Sequence, residues 1–253
     1  MILKYNGPLQ MQINDIARVA EYMWQKGWAE RNAGNITVNV TEFIGDENKN
    51  LPAITRIPLY HTVPELAGQY YYVTSAGSRM RDVARNPMDQ GIITRVAVDG
   101  KSIDILADKD LPPTIELPSH LLMHQVFAQE AIQQGVPVSA GRRVVFHTHP
   151  NELIALSHIS ELKSTRVITE ALYEMHAEVK MCVPNGLAWV PYEMPGSMEL
   201  AKASIKDLKN FRIMLWERHG VLGTGTNILE VFDAVDTLNT AAKIYLYVHS
   251  LRS

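Results

Sequence analysis

Strand-like and helix-like segments alternate along the whole chain, and that alternation limits the fold more than any other feature. INDIARVAEYMWQKGW has apolar residues at helical spacing, with Gly27 near its end. NITVNVTEF (35–43) alternates as a strand does, and DENKNLP (46–52) reads as a surface loop. QYYYVTS (69–75) is a second strand and GIITRVAVDG (91–100) a third, leading towards KSIDILA. TIELPSHLLMHQVFAQEAIQQG (114–135) is the clearest helix, with Thr114 near its start, Pro118 in its first turn and Gly135 at its stop. GRRVVFHTH (141–149) is a strand ended by Pro150, and the segment 152–178 reads as helical pieces. KMCVPNGLAWVPY (180–192) suggests two short strands around a Pro-Asn-Gly turn. SMELAKASIKDLKNF (197–211) is an amphipathic helix, RIMLWERHGVLGTG (212–225) a strand followed by a loop, and 228–251 a long helix. Such interleaving predicts an α/β fold, a sheet covered by helices in a single domain over 1–253.

Composition narrows the function. The 253 residues are 46% hydrophobic and 20% charged, and the net charge is −3. That balance points away from nucleic acid and leaves any anion to a local device. No apolar stretch approaches the roughly 20 residues needed to span a bilayer, and no signal peptide is evident. Cys182, the single cysteine, forms no internal disulfide. A reducing cytoplasm is the expected compartment, and Cys182 reads as a small buried residue.

The stretch FHTHPNELIALSH places His147 and His149 two residues apart on a strand, so both imidazoles point to one face. Such a pair either packs or shares an ion. His219, just past the apolar strand in ERHGVLGTG, is the candidate third ligand. Three histidines around Zn²⁺ leave one position open for substrate, as catalysis requires. Glu116 is the best carboxylate candidate, its bland alternative being a helix-dipole role. His120 and His124 also stand four apart, but on a helix rich in core residues, where a structural role is favoured. The cupin pattern fits poorly, because Glu152 comes early and the chain is heavily helical. A closed structural zinc site would call for four ligands, usually with cysteine, and Cys182 lies outside these motifs. Two turns, ERNAGNITV (30–38) and YVTSAGSRMRDV (72–83), have the character of phosphate cradles, although each alone is equally a connecting turn. Arg79 and Arg81 read as solvated surface residues.

Taken in order, GWAERNAGN, TSAGS, TIELPSH, HTHPNELIAL and ERHGVLGTG resemble the class II aldolase family of sugar phosphates. The resemblance covers roughly residues 12 to 250. It implies a three-layer α/β/α fold with a central, largely antiparallel sheet, and a four-fold symmetric homotetramer with sites at subunit interfaces. It implies Zn²⁺ on His147, His149 and His219, and Glu116 as the acid/base. It implies a phosphate site formed by Asn32, Gly34, Asn35, Ser75, Ala76, Gly77 and Thr114. Glu178, in HAEVK, would reach a neighbouring subunit's site, whereas the residues alone suggest a solvated carboxylate. The implied reaction is retro-aldol cleavage of a ketose phosphate to dihydroxyacetone phosphate and an aldehyde. Another activity of the family, such as epimerisation, and a non-catalytic module like the adducin head are the alternatives. The chain departs from the family pattern at Ala76-Gly77-Ser78 and at Ile115, where a hydroxyl residue is expected.

Overall fold

The structure is a computed structural model that describes residues 3–106 and 109–251. In chain order the helices are α1 (Gly7–Gln25), α2 (Asp46–Lys49), α3 (Met80–Val83), α4 (Leu117–Gln134), α5 (Asn151–Leu156), α6 (Thr165–Met175), α7 (Ala177–Cys182), α8 (Met198–Lys206) and α9 (Ile228–Ser250). The strands are β1 (Asn35–Asn39), β2 (Thr55–Pro58), β3 (Tyr70–Thr74), β4 (Gly91–Val96), β5 (Ser102–Ile105), β6 (Val144–Thr148), β7 (Leu187–Val190), β8 (Ile213–Trp216) and β9 (Gly220–Gly225). They form one 9-stranded sheet in the order β2-β5-β4-β3-β1-β6-β9-β8-β7. Every neighbouring pair is antiparallel except β7 with β8.

Alternation along the strands sorts side chains into two apolar layers. Tyr70, Tyr72, Val144, Phe146, Ile213, Leu215 and Val221 join the cluster built with α1, α5, α6, α7 and α9. Tyr71, Val73, Val145, Met214, Trp216 and Leu222 point the other way, into two smaller clusters under α4 and α8. The expected three layers and largely antiparallel sheet are therefore present.

Strand β1 is wholly buried, which its alternating sequence does not suggest. Ile36 and Val38 enter the large core, while Asn35, Thr37 and Asn39 face α4 and are also buried. A polar face on a central strand needs internal partners, and α4 supplies them, as described below.

Several local expectations change. Residues 177–182 form α7 rather than a strand, because a short apolar run carries no period of its own. The buried positions of this segment are Val179 and Val183. Cys182 lies outside that pair and is exposed, not buried. HGVLGTG is not a loop but β9: its glycines are strand residues over which α9 closes, and a Cβ at Gly223 would meet Val231 Cγ1 at 2.5 Å. The 46–52 segment contains α2, pinned by Asn48, whose amide nitrogen donates to the Lys4 carbonyl at 2.5 Å. The 114–135 helix starts at Leu117, so Glu116 caps it from outside.

Candidate metal centre and anion cradle

One edge of the sheet carries the site. The start of β1, the end of β3, the end of β6 and the start of β9 meet there, with the N-terminus of α4 above. Asn35 pairs with His147 across β1 and β6, and Thr148 pairs with Val221 across β6 and β9. Because β6 and β9 are neighbours, the hairpin turn leading into β9 brings His219 beside His147, their ring centroids 4.6 Å apart. That turn bends at Arg218, which sits at φ +60°, with its N–H donating to Ser157 Oγ at 2.8 Å. Gly220 follows because nothing larger fits: a Cβ there would lie 2.5 Å from the Thr148 carbonyl oxygen and 2.9 Å from His147 Cε1.

The histidines His147, His149 and His219 offer ligand atoms that all lie within 4.8 Å of one another. Hydrogen bonds fix what His147 and His149 offer. His147 Nδ1 donates to the Val221 carbonyl at 3.0 Å. His149 Nδ1 donates to the Glu30 carboxylate at 2.8 Å. Both Nε2 atoms therefore present lone pairs, and these face each other at 3.1 Å. Two lone pairs at that distance repel unless a cation stands between them. Burial holds His147 well below the ordinary histidine range and pushes His219 down to about 4, so these two rings are neutral at neutral pH. Tetrahedral zinc with nitrogen ligands spaces the nitrogens by about 3.3 Å, close to the separation seen. The carbonyl behind His147 and the carboxylate behind His149 are also the usual support for a metal-bound imidazole, whereas His219 Nδ1 is buried without a partner. The donor set fits a divalent metal ion. Trp216 stacks on His219 at 5.0 Å and 27° and closes the back of the site.

Glu116 lies on the open side. Its Oε2 accepts from Asn35 Nδ2 at 2.9 Å, and its Oε1 is 3.7 Å from His219 Nε2. Burial raises its pKa, and the Asn35 bond opposes that rise. The side chain is thus poised to hold or give a proton beside the three imidazoles.

A cavity of about 240 Å³ opens from the histidines and is lined by Asn32, Gly34, Asn35, Ser75, Ala76, Gly77 and Thr114. The structure thus brings the expected cradle residues together with Glu116 and the histidines. Gly34 (φ +83°) must be glycine, since a Cβ would meet Met23 Cε at 2.8 Å and the His147 carbonyl at 3.1 Å. Asn35 Oδ1 and Ser75 Oγ are buried without a partner and are available to a ligand. The Ala76 N–H already donates to the Pro112 carbonyl, so Ala76 shapes the wall rather than donating to an anion. Glu178 does not line this cavity; it is exposed in the first turn of α7. His120 and His124 bond Thr37 and are not among the metal-facing groups.

Three contributors are not evident from motif reading. Glu30 orients His149, Pro195 lines the cavity, and Trp216 carries two of the rings. Glu30 sits inside the same GWAERNAGN stretch that supplies the cradle. Pro195 belongs to a loop tied down when Tyr192 N–H donates to Glu217 at 3.1 Å.

Comparison with known proteins agrees. Residues 14–246 match the family model described as the class II aldolase and adducin N-terminal domain. The chain belongs to that family. A rhamnulose-1-phosphate aldolase from Bacteroides thetaiotaomicron is 42% identical over 246 residues, covering 97% of this chain and 88% of that protein. One from Pectobacterium atrosepticum is 33% identical over 94% of this chain and 86% of that protein. The crystal structure of a sugar-phosphate aldolase from Thermotoga maritima superposes with a TM-score of 0.80 at 30% identity, covering 97% of each chain.

Proposed function

We propose that this chain is a zinc-dependent aldolase that cleaves L-rhamnulose 1-phosphate to dihydroxyacetone phosphate and L-lactaldehyde. The reading rests most heavily on one observation: two imidazole lone pairs face each other at 3.1 Å beside a buried carboxylate held by Asn35. The names of the relatives select the sugar.

His147, His149 and His219 would hold the zinc. When bound, the metal supplies a Lewis acid for the ketone carbonyl and adjacent hydroxyl oxygens of the substrate. Asn35 holds Glu116 so that a carboxyl oxygen faces the reacting carbons. As the carbon–carbon bond breaks, its electron pair passes to the carbon beside the ketone, and Glu116 delivers a proton there. The hydroxyl on the other carbon loses its proton and becomes the aldehyde. Glu178 of a neighbouring subunit takes that second proton, which makes a homotetramer part of the proposal. The phosphate sits against Asn32, Gly34, Asn35, Ser75, Gly77 and Thr114. A single domain and a cytoplasmic setting complete the picture. Among the described residues no helix is long and apolar enough to cross a membrane.

The test is a cleavage assay over a panel of ketose phosphates, with metal removed and restored. The expected result is release of lactaldehyde from L-rhamnulose 1-phosphate, lost on chelation and recovered with zinc. Full activity after rigorous metal removal would overturn the proposal.

A further inference from the structure

A row of buried polar groups runs inward from the site, and beyond Glu116 and Asn35 its members take no part in the chemistry above. His120 and His124 stand four residues apart on one face of α4, with Glu116 four residues before them at its N-cap, and Asn35, Thr37 and Asn39 stand two apart on one face of β1. The first two rungs bond directly, and the third reaches α4 only through Tyr71. Asn35 donates to Glu116 at 2.9 Å. The Thr37 hydroxyl meets His120 Nδ1 at 3.0 Å and His124 Nε2 at 2.8 Å. Asn39 Nδ2 donates to the Tyr71 hydroxyl at 3.4 Å, and Tyr71 packs on His124 with ring centroids 4.7 Å apart. The spacings suit each other: four helical residues rise about 6 Å, and two strand residues about 6.7 Å.

Such a seam is costly in a core unless it is satisfied, yet His120 Nε2 is left without a partner. Apolar packing of Leu117, Leu121, Met123 and Phe127 already holds α4 on the sheet. That packing has no direction and leaves sliding and rotation of the helix open. The Thr37 bonds remove both freedoms. The hydroxyl has one proton, so one ring donates to it while the other accepts; because His120 bonds through Nδ1 and His124 through Nε2, both rings then hold the same tautomer. Thr37 itself is rigid: its χ1 is restricted, and its backbone is paired with Val73 on one side and Val145 on the other.

We infer that Thr37, with His120 and His124, is a positioning device that sets the place of Glu116 against the metal ligands. Four residues separate Glu116 from His120, so a small rotation of α4 about its axis moves the carboxylate off Asn35. The inference rests on Glu116 being the proton carrier proposed above.

The experiment compares Thr37→Val, which keeps shape and removes the hydroxyl, with Thr37→Ser, which keeps the hydroxyl. Zinc content, kcat, KM and a crystal structure are measured for each. Displacement of a reacting group by about 1 Å costs on the order of a hundredfold in rate, so a partial shift in Thr37→Val should lower kcat at least about tenfold. KM and zinc content should change little, the carboxylate should leave Asn35 in the crystal structure, and Thr37→Ser should restore both rate and position. An unmoved Glu116, or an unchanged kcat, overturns the inference, because a purely stabilising seam would lower only the melting temperature. If Thr37→Val does not fold, His120→Leu and His120→Asn replace the pair, the asparagine amide standing where Nδ1 stands. If the wild-type protein cleaves no ketose phosphate, the functional proposal fails separately, and the position of Glu116 in the crystal structures alone decides this one.

Discussion

Replacing Gly220 by alanine tests the metal centre without touching a ligand. A Cβ at this position would lie 2.5 Å from the Thr148 carbonyl oxygen, 2.8 Å from His149 Cδ2 and 2.9 Å from His147 Cε1. Carbon atoms pack best at about 3.5–4.0 Å, so each ring must retreat by at least about 0.6 Å. Neither ring moves freely: His147 is tied to Val221 and His149 to Glu30. Overpacking of this kind costs about 1–3 kcal/mol. For a chain of this size that lowers the melting temperature by roughly 2–12 °C. Loosened ligand geometry should weaken zinc binding by at least about tenfold, by comparison with the 10–100-fold effects of disturbing a ligand's supporting partners. The assay is competition with a chromophoric chelator, alongside calorimetry. Gly141→Ala is the control, since its Cβ would meet only Ala131 Cβ at 3.7 Å. Unchanged zinc affinity in Gly220→Ala would refute the reasoning, because the two rings would then have absorbed the methyl group without moving their Nε2 atoms.

Glu116→Gln should retain zinc but lose exchange of solvent deuterium into dihydroxyacetone phosphate; exchange at the wild-type rate would remove Glu116 from proton transfer. Acid should destabilise the fold through His120 and His124. Burial pushes His120 from 6.5 down to about 3 and His124 well below its ordinary value. The unfolded chain therefore takes up protons first as pH falls below about 6.5, and each group removes up to about 1.4 kcal/mol of stability per pH unit in that window. Urea midpoints between pH 7 and 5 read the effect, and His124→Gln should flatten the slope. Finally, His219→Ala and Glu178→Ala proteins should each be nearly inactive yet regain partial activity when unfolded together and reassembled. Mixed tetramers of verified composition without activity would remove Glu178 from a neighbour's site.

The metal ligands are legible because their spacing is a statement about geometry. A histidine two residues from another on a strand must share its face, and His147 and His149 do. His219 is legible as a candidate from its place just past an apolar strand, but nothing in the 69 intervening positions says that β6 and β9 are neighbours; the family resemblance supplies that step. The glycines of β9 mislead for a physical reason: glycine usually marks a loop, but here it lets α9 close on the sheet, with Val231 2.6 Å from a Cβ placed at Gly225. The alternation of NITVNV gives the strand correctly and hides its setting. Polar residues at every second position suggest a wet face, whereas β1 is buried on both sides because α4 carries matching polar groups. Such matching is a property of two segments 80 residues apart and cannot be read from either alone. The α7 segment fails for the opposite reason, being too short for any period to declare itself.

The two lone pairs facing each other at the end of β6 also bear on how the chain reaches its final form. His147 lies on a strand paired to β1 and β9 and His149 one residue past its end, and the third imidazole arrives only with the turn that starts β9. Ribosomes extend a chain by about 5–20 residues per second. The interval between synthesis of His149 and of His219 therefore lasts several seconds, and for that time the pair has no third arm. A cation captured then would be held by two nitrogens and exchange readily. A third arm must wait for β9 to insert between β6 and β8, a contact of long sequence separation that forms slowly. A site of three imidazoles therefore exists only once the sheet is complete.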